Sequence, residues 1–222
     1  MSARAILWDM DGVIVDSAPF HFQAWQELLG ELGLAFTRTD FEQTFGRRNA
    51  EIIAEKVPAK LPSSEVRRLS NRKEERFRDL IARNIEAFPG VLSLMRSAKA
   101  ASWKMALVTS TPPENIDVVL RELGIAGFFE AIVAERDVRR GKPDPEGFLL
   151  AASMLKVPPG RCIVIKDAVA GVKAARAAGM KCIAVTNTHP TERLVEADLI
   201  VDSLDRLTEK TVADLLEQPA IS

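Results

Sequence analysis

Short, uninterrupted apolar runs recur along the chain, separated by longer segments with a helical period. The clearest runs are residues 5–8, 105–108, 162–165 and 182–185, and weaker ones lie at 131–133 and 199–201. Strands covered on both faces are apolar throughout, whereas half-exposed strands alternate. Strands alternating with helices predict an α/β fold with a doubly wound, parallel, Rossmann-like sheet.

Residues 17–87 differ from the rest of the chain, because they contain helix-period segments and no convincing buried run. Pro89 and Gly90 close this interval before the next helical segment. The simplest interpretation is an all-helical domain inserted after the first strand. The predicted core is then residues 1–16 plus 88–222, and the predicted cap is residues 17–87.

Composition narrows the function classes only slightly. Hydrophobic residues make up 47% and charged residues 27%, and the net charge is −1, so nothing favours a nucleic-acid or membrane surface. Cys162 and Cys182 lie in apolar runs and are predicted to be buried thiols of a reducing compartment. The first apolar run is too short for a signal peptide and is cut by Asp9. We therefore expect a soluble, cytoplasmic protein, and a monomer.

Polar and charged residues follow the apolar runs at the points where the predicted strands end. They are Asp9, Asp11 and Gly12, then Thr109, Ser110 and Thr111, then Lys142, and finally Lys166 and Asp167. Ligands of open parallel sheets bind beyond the carboxyl ends of the strands. Acidic, hydroxyl and cationic groups are therefore expected to meet at one edge, where they can hold a phosphate and a metal ion together.

Four motifs in this order carry a family resemblance that covers nearly the whole chain. They are Asp9-Met10-Asp11-Gly12-Val13, Val108-Thr109-Ser110, Gly141-Lys142-Pro143-Asp144-Pro145 and Ile165-Lys166-Asp167-Ala168. Together they resemble the haloacid dehalogenase superfamily, in particular its β-phosphoglucomutase-like branch of phosphatases and mutases. Residues 17–87 are similar to the helical cap of that branch. The resemblance implies an enzyme that acts on a small phosphorylated substrate.

The pair Asp9 and Asp11 would carry the chemistry. The resemblance implies that Asp9 attacks phosphorus and forms an aspartyl-phosphate, which splits one difficult step into two. Asp11 would protonate the leaving oxygen and later deprotonate the incoming hydroxyl. Gly12 would let the chain turn so that both carboxylates face one pocket and the substrate. Taken alone, the pair is also compatible with an ordinary turn.

Hydroxyl and ammonium groups would hold the phosphoryl group. Thr109 would donate its hydroxyl to phosphoryl oxygens, assisted by backbone N–H groups around Ser110, and Thr111 is predicted to contact substrate. Lys142 would supply a fixed positive charge. The structural alternatives are a helix N-cap for the threonine and a surface lysine in a turn.

Magnesium is the cofactor that the resemblance implies. Asp9, the backbone carbonyl of Asp11 and Asp167 would bind Mg²⁺, which prefers hard oxygen ligands. One departure is Lys166, because members of the branch usually have an acidic pair where this chain has Lys166 and Asp167. Either Lys166 points away or pairs with Asp144 or a phosphate oxygen, which we favour, or metal affinity and activity are reduced.

The predicted cap residues decide between hydrolysis and mutase chemistry. His21, Gly46, Arg47, Arg48 and Asn49 are the predicted substrate contacts of the cap. Mutases of this branch usually have an arginine at the position of Asn49, which favours a phosphatase and leaves a β-phosphoglucomutase as the alternative. Lys73 could also reach the substrate, although so charged a segment as 72–78 is typical of a solvated helix face.

Other classes of function fit the residues less well. A degenerate, non-catalytic binder of phosphorylated ligands is suggested only by Lys166. A response-regulator-like domain has no use for the helical insertion, and a dehalogenase has no use for Asp11 as an acid. The leading hypothesis is a magnesium-dependent phosphatase of a small sugar or polyol phosphate.

Overall fold

A computed structural model describes residues 3–44 and 47–218 of the chain. The chain divides into two compact units, Ser17–Ile85 and the remainder, Met1–Asp16 with Glu86–Ser222. The described residues of the first unit form helices only, whereas the second contains a parallel sheet with helices. None of the helices in the described ranges is both long enough and apolar enough to cross a membrane.

The larger unit is built on one six-stranded parallel sheet in the order β3-β2-β1-β4-β5-β6. The strands are β1 (Ala5–Trp8), β2 (Lys104–Val108), β3 (Ala131–Val133), β4 (Cys162–Lys166), β5 (Lys181–Val185) and β6 (Leu199–Val201). All six lie where the apolar runs predict them, and the predicted doubly wound fold is confirmed. The order reverses between β1 and β4, the point at which such sheets bind ligands.

Helices of the larger unit connect the strands and cover the sheet. They are α5 (Val91–Ala100), α6 (Pro113–Glu122), α7 (Glu146–Leu155), α8 (Val169–Ala177) and α9 (Glu209–Glu217). One face of the sheet, including Leu7 and Val164, packs with α7 and α8 in a continuous apolar core. Because all residues of β1 and β4 are buried, these strands are covered on both faces and their carboxyl ends are held in place.

The smaller unit has its own core. Its helices are α1 (Ala18–Glu31), α2 (Arg38–Thr44), α3 (Asn49–Lys56) and α4 (Ser63–Asn84). Trp25, Leu28 and Leu29 of α1 pack with Leu69 of α4 and with apolar residues of α2 and α3. Lys73 of α4 is only 2% exposed, so the prediction of a solvated face is wrong at this position.

The two cysteines lie in β4 and β5. Cys162 and Cys182 are both buried and free, as the apolar runs around them predict. Burial raises the pKa of each thiol to about 12, so neither is a thiolate at neutral pH. They fill the core and have no part in the chemistry described below.

Candidate active site

Asp9 directly follows β1 and lies at the centre of the candidate site. Its side chain is 8% exposed, and each carboxylate oxygen has its own ammonium partner. Lys142 Nζ donates to Oδ1 at 2.9 Å, and Lys166 Nζ donates to Oδ2. A buried carboxylate that accepts from two cations is held in its ionised form, the form that a nucleophile needs.

Asp11 is oriented by two threonine hydroxyls from the loop after β2. Thr111 Oγ1 donates to Asp11 Oδ2 at 2.5 Å, and Thr109 Oγ1 donates to Thr111 Oγ1 at 2.9 Å. Asp11 Oδ1 is buried and makes no hydrogen bond with the described residues. The carboxyl group is therefore fixed through one oxygen, while the other remains available to carry a proton.

Gly12 allows Asp167 to approach the loop after β1. The backbone of Gly12 has a φ of +75°, and a Cβ built there would lie 2.0 Å from Asp167 Oδ2. Thr188 Oγ1 donates to that same oxygen at 2.6 Å and to the Asp167 carbonyl at 3.2 Å. Only glycine fits the conformation and the space, so Gly12 sets where the Asp167 carboxylate lies.

Lys142 comes from the loop between β3 and α7, which is organised by Glu146. The carboxylate of Glu146 accepts from the backbone N–H groups of Arg139 and Arg140, each at 3.0 Å. Lys142 Nζ also donates to the Val108 carbonyl at 3.1 Å. Burial lowers the pKa of Lys142 to about 8, although the carboxylates of Asp167 and Asp11 oppose this shift. The lysine remains mostly charged at neutral pH.

A pocket of about 310 Å³, counted with the solvent at its mouth, adjoins Lys142. Its polar lining includes Thr109, Ser110, Lys142 and Arg140. Ser110 itself is exposed, next to the two buried threonines of the same loop. Asp9 itself does not line this pocket, and Lys142, which contacts Asp9, connects the two.

Lys166 does not point away from the site, so that part of the favoured interpretation is wrong, whereas its predicted pairing with a phosphate oxygen stays a prediction. Its side chain is 5% exposed, and its ammonium contacts Asp9 and lies 3.2 Å from Asp167 Oδ1. Asp144, the predicted alternative partner, instead pairs with Arg140 at 3.1 Å. Burial lowers the pKa of Lys166, and the Asp167 carboxylate opposes that shift. Lys166 is the last residue of β4, so its side chain lies at the carboxyl edge of the sheet and not in solvent.

Two predicted magnesium ligands, Asp9 and Asp167, both lie next to the Lys166 ammonium, whereas the role of the Asp11 carbonyl stays a prediction. The ammonium contacts Asp9 Oδ2 and is within ion-pair distance of Asp167 Oδ1, although it forms no hydrogen bond with the latter. Within residues 3–44 and 47–218, no three His, Cys, Asp or Glu side chains form a group that could hold a metal ion. Mg²⁺ needs several hard oxygen donors, and an ammonium between two of them repels it. The residues as placed do not fit a divalent ion between Asp9 and Asp167.

Within the helical unit, His21 belongs to a partly buried polar cluster around the buried Lys73. Lys73 Nζ is 2.6 Å from His21 Nδ1 and donates to Glu74 Oε1 at 2.9 Å, and Asn49 Nδ2 donates to the same Glu74 oxygen at 2.7 Å. An ammonium only donates, so His21 Nδ1 accepts and the ring proton is on Nε2. Burial and then the Lys73 charge lower the pKa of His21 to about 3. His21 is therefore neutral at pH 7.

The same cluster fixes the charge of Glu74. Burial acts to raise its pKa, but the Lys73 charge and the hydrogen bonds from Asn49 and Lys73 outweigh it and lower the pKa to about 2. Lys73 and Glu74 therefore form a buried ion pair. Its two charges cancel, so the cluster has no net charge at neutral pH.

The other predicted cap contacts are exposed or lie outside the described residues. Arg47 pairs with Glu55 at 2.7 Å and with Glu51 at 3.6 Å. Arg48 is exposed at the start of α3 and makes no ion pair with the described part of the chain. Gly46 lies outside the described residues. The roles of these residues in substrate binding stay predictions.

Three residues of the site were not predicted, or not in the role that the geometry indicates. Asn187 Nδ2 donates to the Gly12 carbonyl at 2.9 Å, and Thr188 holds Asp167. Both follow β5, so the rule that examined residues after each strand would have found them. Thr111 orients Asp11, and its predicted contact with substrate stays a prediction.

A parallel sheet with carboxylates, hydroxyls and lysines at its switch point defines an α/β enzyme that acts on an anionic ligand. Residues 3–179 match the haloacid dehalogenase-like hydrolase family. β-Phosphoglucomutase of Bacillus subtilis (strain 168) is 33% identical over 222 residues, which cover 97% of this chain and 96% of that protein. Hexitol phosphatase A of Escherichia coli (strain K12) is 34% identical over 216 residues, or 94% of each chain.

Solved structures agree with the sequence matches. The crystal structure of β-phosphoglucomutase from Clostridium difficile has a TM-score of 0.81 at 30% identity, covering 96% of this chain and 97% of that one. The chain belongs to the haloacid dehalogenase-like hydrolases. The phosphatase among its relatives supports phosphoric monoester hydrolase activity, with phosphomutase activity as the other possibility.

Proposed function

We propose that this enzyme is a phosphatase of small phosphorylated metabolites and uses Asp9 as the nucleophile. The observation that carries the proposal is the setting of Asp9, a buried carboxylate with one ammonium on each oxygen. A carboxylate oxygen of Asp9 attacks phosphorus, and the bond from phosphorus to the leaving oxygen breaks. Lys142 and Lys166 neutralise charge on the phosphoryl oxygens as the aspartyl-phosphate forms.

Asp11 transfers the protons in both steps. In the first step its carboxyl group gives a proton to the leaving oxygen, so that an alcohol departs. In the second step Asp11 takes a proton from water while the water oxygen attacks phosphorus, and the bond to Asp9 breaks to release phosphate. The hydrogen bond from Thr111 at 2.5 Å supports this role, because it fixes the carboxyl group without occupying Oδ1.

The proposed substrate is a sugar or polyol monophosphate. Relatives of similar length act on this class by name, among them hexitol phosphatase A and a fructose-1-phosphate phosphatase of Escherichia coli. In the core, the groups that face phosphate are few and close together, which suits one phosphoryl group. The neutral ring of His21 and the amide of Asn49 suit sugar hydroxyls better than a second anion.

A β-phosphoglucomutase is the second candidate, favoured by the similarity to the Bacillus subtilis and Clostridium difficile enzymes. A mutase must also hold a second phosphate. The predicted contact Asn49 is uncharged, Lys73 is balanced by Glu74, and Arg47 is balanced by two glutamates. Of the predicted cap cations, only Arg48 makes no ion pair with the described residues, so little positive charge is left for that phosphate, which favours the phosphatase.

The test is a phosphate-release assay over hexitol, hexose and glycerol phosphates and nucleotides. We expect release with at least one polyol or sugar phosphate and a loss of at least about 1,000-fold in Asp9→Asn. Asp117→Asn, the same change on the exposed face of α6, is the matched control and should keep full activity. Equal activity of Asp9→Asn and wild type would refute the proposal. Conversion of β-glucose 1-phosphate to glucose 6-phosphate, faster than phosphate release, would select the mutase instead.

Magnesium use stays a prediction from the resemblance. The position of Lys166 argues against a divalent ion between Asp9 and Asp167, so each step above is assigned to side chains of the chain. Running the assay both with magnesium and with a chelator separates the question of the cofactor from that of the reaction.

A further inference from the structure

The Lys166 ammonium lies between two carboxylates, in the kind of position that a bound cation takes. It contacts the nucleophile Asp9 on one side and lies 3.2 Å from Asp167 on the other. The side chain is 5% exposed, so the charge is removed from bulk water and interacts strongly with both carboxylates. A lysine so placed does not swing freely between solvent and site.

The neighbouring helix fixes the path of the Lys166 side chain. Gly171 of α8 has no Cβ, and one built there would lie 2.0 Å from Lys166 Cε and 2.6 Å from Cδ. The aliphatic stem therefore crosses α8 at the position where side-chain volume is missing. Because this packing is independent of the ion pairs, it is a second reason for the ammonium to lie between the carboxylates.

The formal charge of the site without a metal equals that of the usual pattern of the branch with one. Asp9, Asp11 and Asp167, counted as ionised, against the ammoniums of Lys142 and Lys166 leave one negative charge. With an acid at 166, the usual pattern of the branch, four carboxylates, the Lys142 ammonium and a divalent ion also leave one negative charge. Lys166 thus replaces one carboxylate and the divalent ion together, and the net charge of the site stays the same. Adding a divalent ion beside Lys166 would make the site net positive.

We infer that the Lys166 ammonium takes the place of the divalent cation and that the phosphoryl transfer proposed above proceeds at this site without magnesium. Lys166 holds Asp9 ionised and donates hydrogen bonds to the phosphoryl oxygens, while Lys142 does the same from the opposite side of the carboxylate. The catalytic part of this inference rests on the proposed function. Its metal-binding part can be tested by itself.

The binding experiment titrates the full chain with MgCl₂ in a calorimeter. A second titration uses Mn²⁺, whose binding is measured by electron paramagnetic resonance. Wild type should bind neither ion at millimolar concentration, and Lys166→Glu should bind Mg²⁺ at least about 100-fold more tightly than wild type. Lys173→Glu, the same charge change on the exposed side of α8, is the matched control and should behave as wild type. Saturable binding of either ion by wild type below about 1 mM would overturn the inference.

The activity experiment compares phosphate release in EDTA and in magnesium. Wild type should keep its rate in EDTA within about twofold, whereas Lys166→Glu should lose at least about tenfold in EDTA and recover with magnesium. Wild-type activity that is lost in EDTA and restored by magnesium would overturn the inference and leave the proposed function intact. If wild type releases no phosphate from any substrate, the proposed function fails, and the binding experiment still decides whether a metal site exists. Should Lys166→Glu not fold, the wild-type arms suffice.

Discussion

Acidification should destabilise the helical unit through His21, in a pH range set by its burial. His21 is held neutral with a pKa of about 3, against 6.5 for an unperturbed histidine. Between these values the unfolded chain takes up a proton that the folded unit does not. Stability is therefore complete above pH 6.5 and falls as the pH decreases, by up to about 1.4 kcal/mol per pH unit. From about pH 7 to about pH 5 the loss is about 2 kcal/mol.

Glu74 contributes in the same direction but at lower pH. Its pKa is lowered from 4.5 to about 2, so its contribution is present above 4.5 and is lost as the pH falls toward 2. Above about pH 5 the predicted effect therefore comes from His21 rather than from Glu74. Replacement of the histidine by a residue that does not titrate should remove the effect.

The assay combines urea denaturation with hydrogen exchange of the α1 amides at about pH 7 and about pH 5, since exchange reports opening of the helical unit by itself. His21→Gln can still accept from Lys73 and should lose most of the pH dependence. His189→Gln, the change of the other histidine in the chain, should keep it. A His21 ring signal that titrates near 6.5, or equal pH dependence in His21→Gln and wild type, would refute the reasoning.

Three further predictions concern the core site. Gly12→Ala should lose at least about 100-fold in kcat and about 1–3 kcal/mol of stability, measured by phosphate release and urea denaturation, because its Cβ displaces Asp167 and its φ is +75°. Thr111→Val should lower kcat by about 10- to 100-fold with little change in KM, and Thr111→Ser should restore most of it, since only the hydroxyl holds Asp11. Lys142→Met should lower kcat at least about 100-fold and also lower the Tm in thermal unfolding, because the buried Asp9 carboxylate loses one of its two ammonium partners. A Tm equal to or above that of wild type would contradict this last expectation.

Much of the core could be read from the sequence for one physical reason. Strands buried on both faces are apolar over most of their length, with polar residues only at their ends, so each appears as a short apolar run with an abrupt end. The residues at those ends then fall at one edge of the sheet, which brings Asp9, Asp11, Thr109, Lys142 and Asp167 to one region. Local pattern and topology together were enough for this prediction.

The side-chain directions of the lysines could not be read in this way. Lys166 was expected to point away or to pair with Asp144 or a phosphate oxygen. The space beside Gly171 and the two carboxylates determine that its ammonium lies next to Asp9 and Asp167. Lys73 lies in a highly charged stretch, yet it is buried because α4 packs on α1. Its partners are Glu74 of α4 and His21 of α1. Both outcomes depend on contacts between segments distant in sequence, which no local pattern encodes.

The central place of β1 in the sheet determines how this enzyme should lose function. Every residue of β1 pairs with β2 on one side and β4 on the other, so its amide protons exchange only when the whole core opens. Lys142 is attached to a loop, and loops open in smaller fluctuations. In dilute denaturant the loop should therefore release its ammonium first. Inactivation would then precede unfolding. In the inactive protein the β1 amides would still be protected from exchange, but Asp9 would have lost its Lys142 partner.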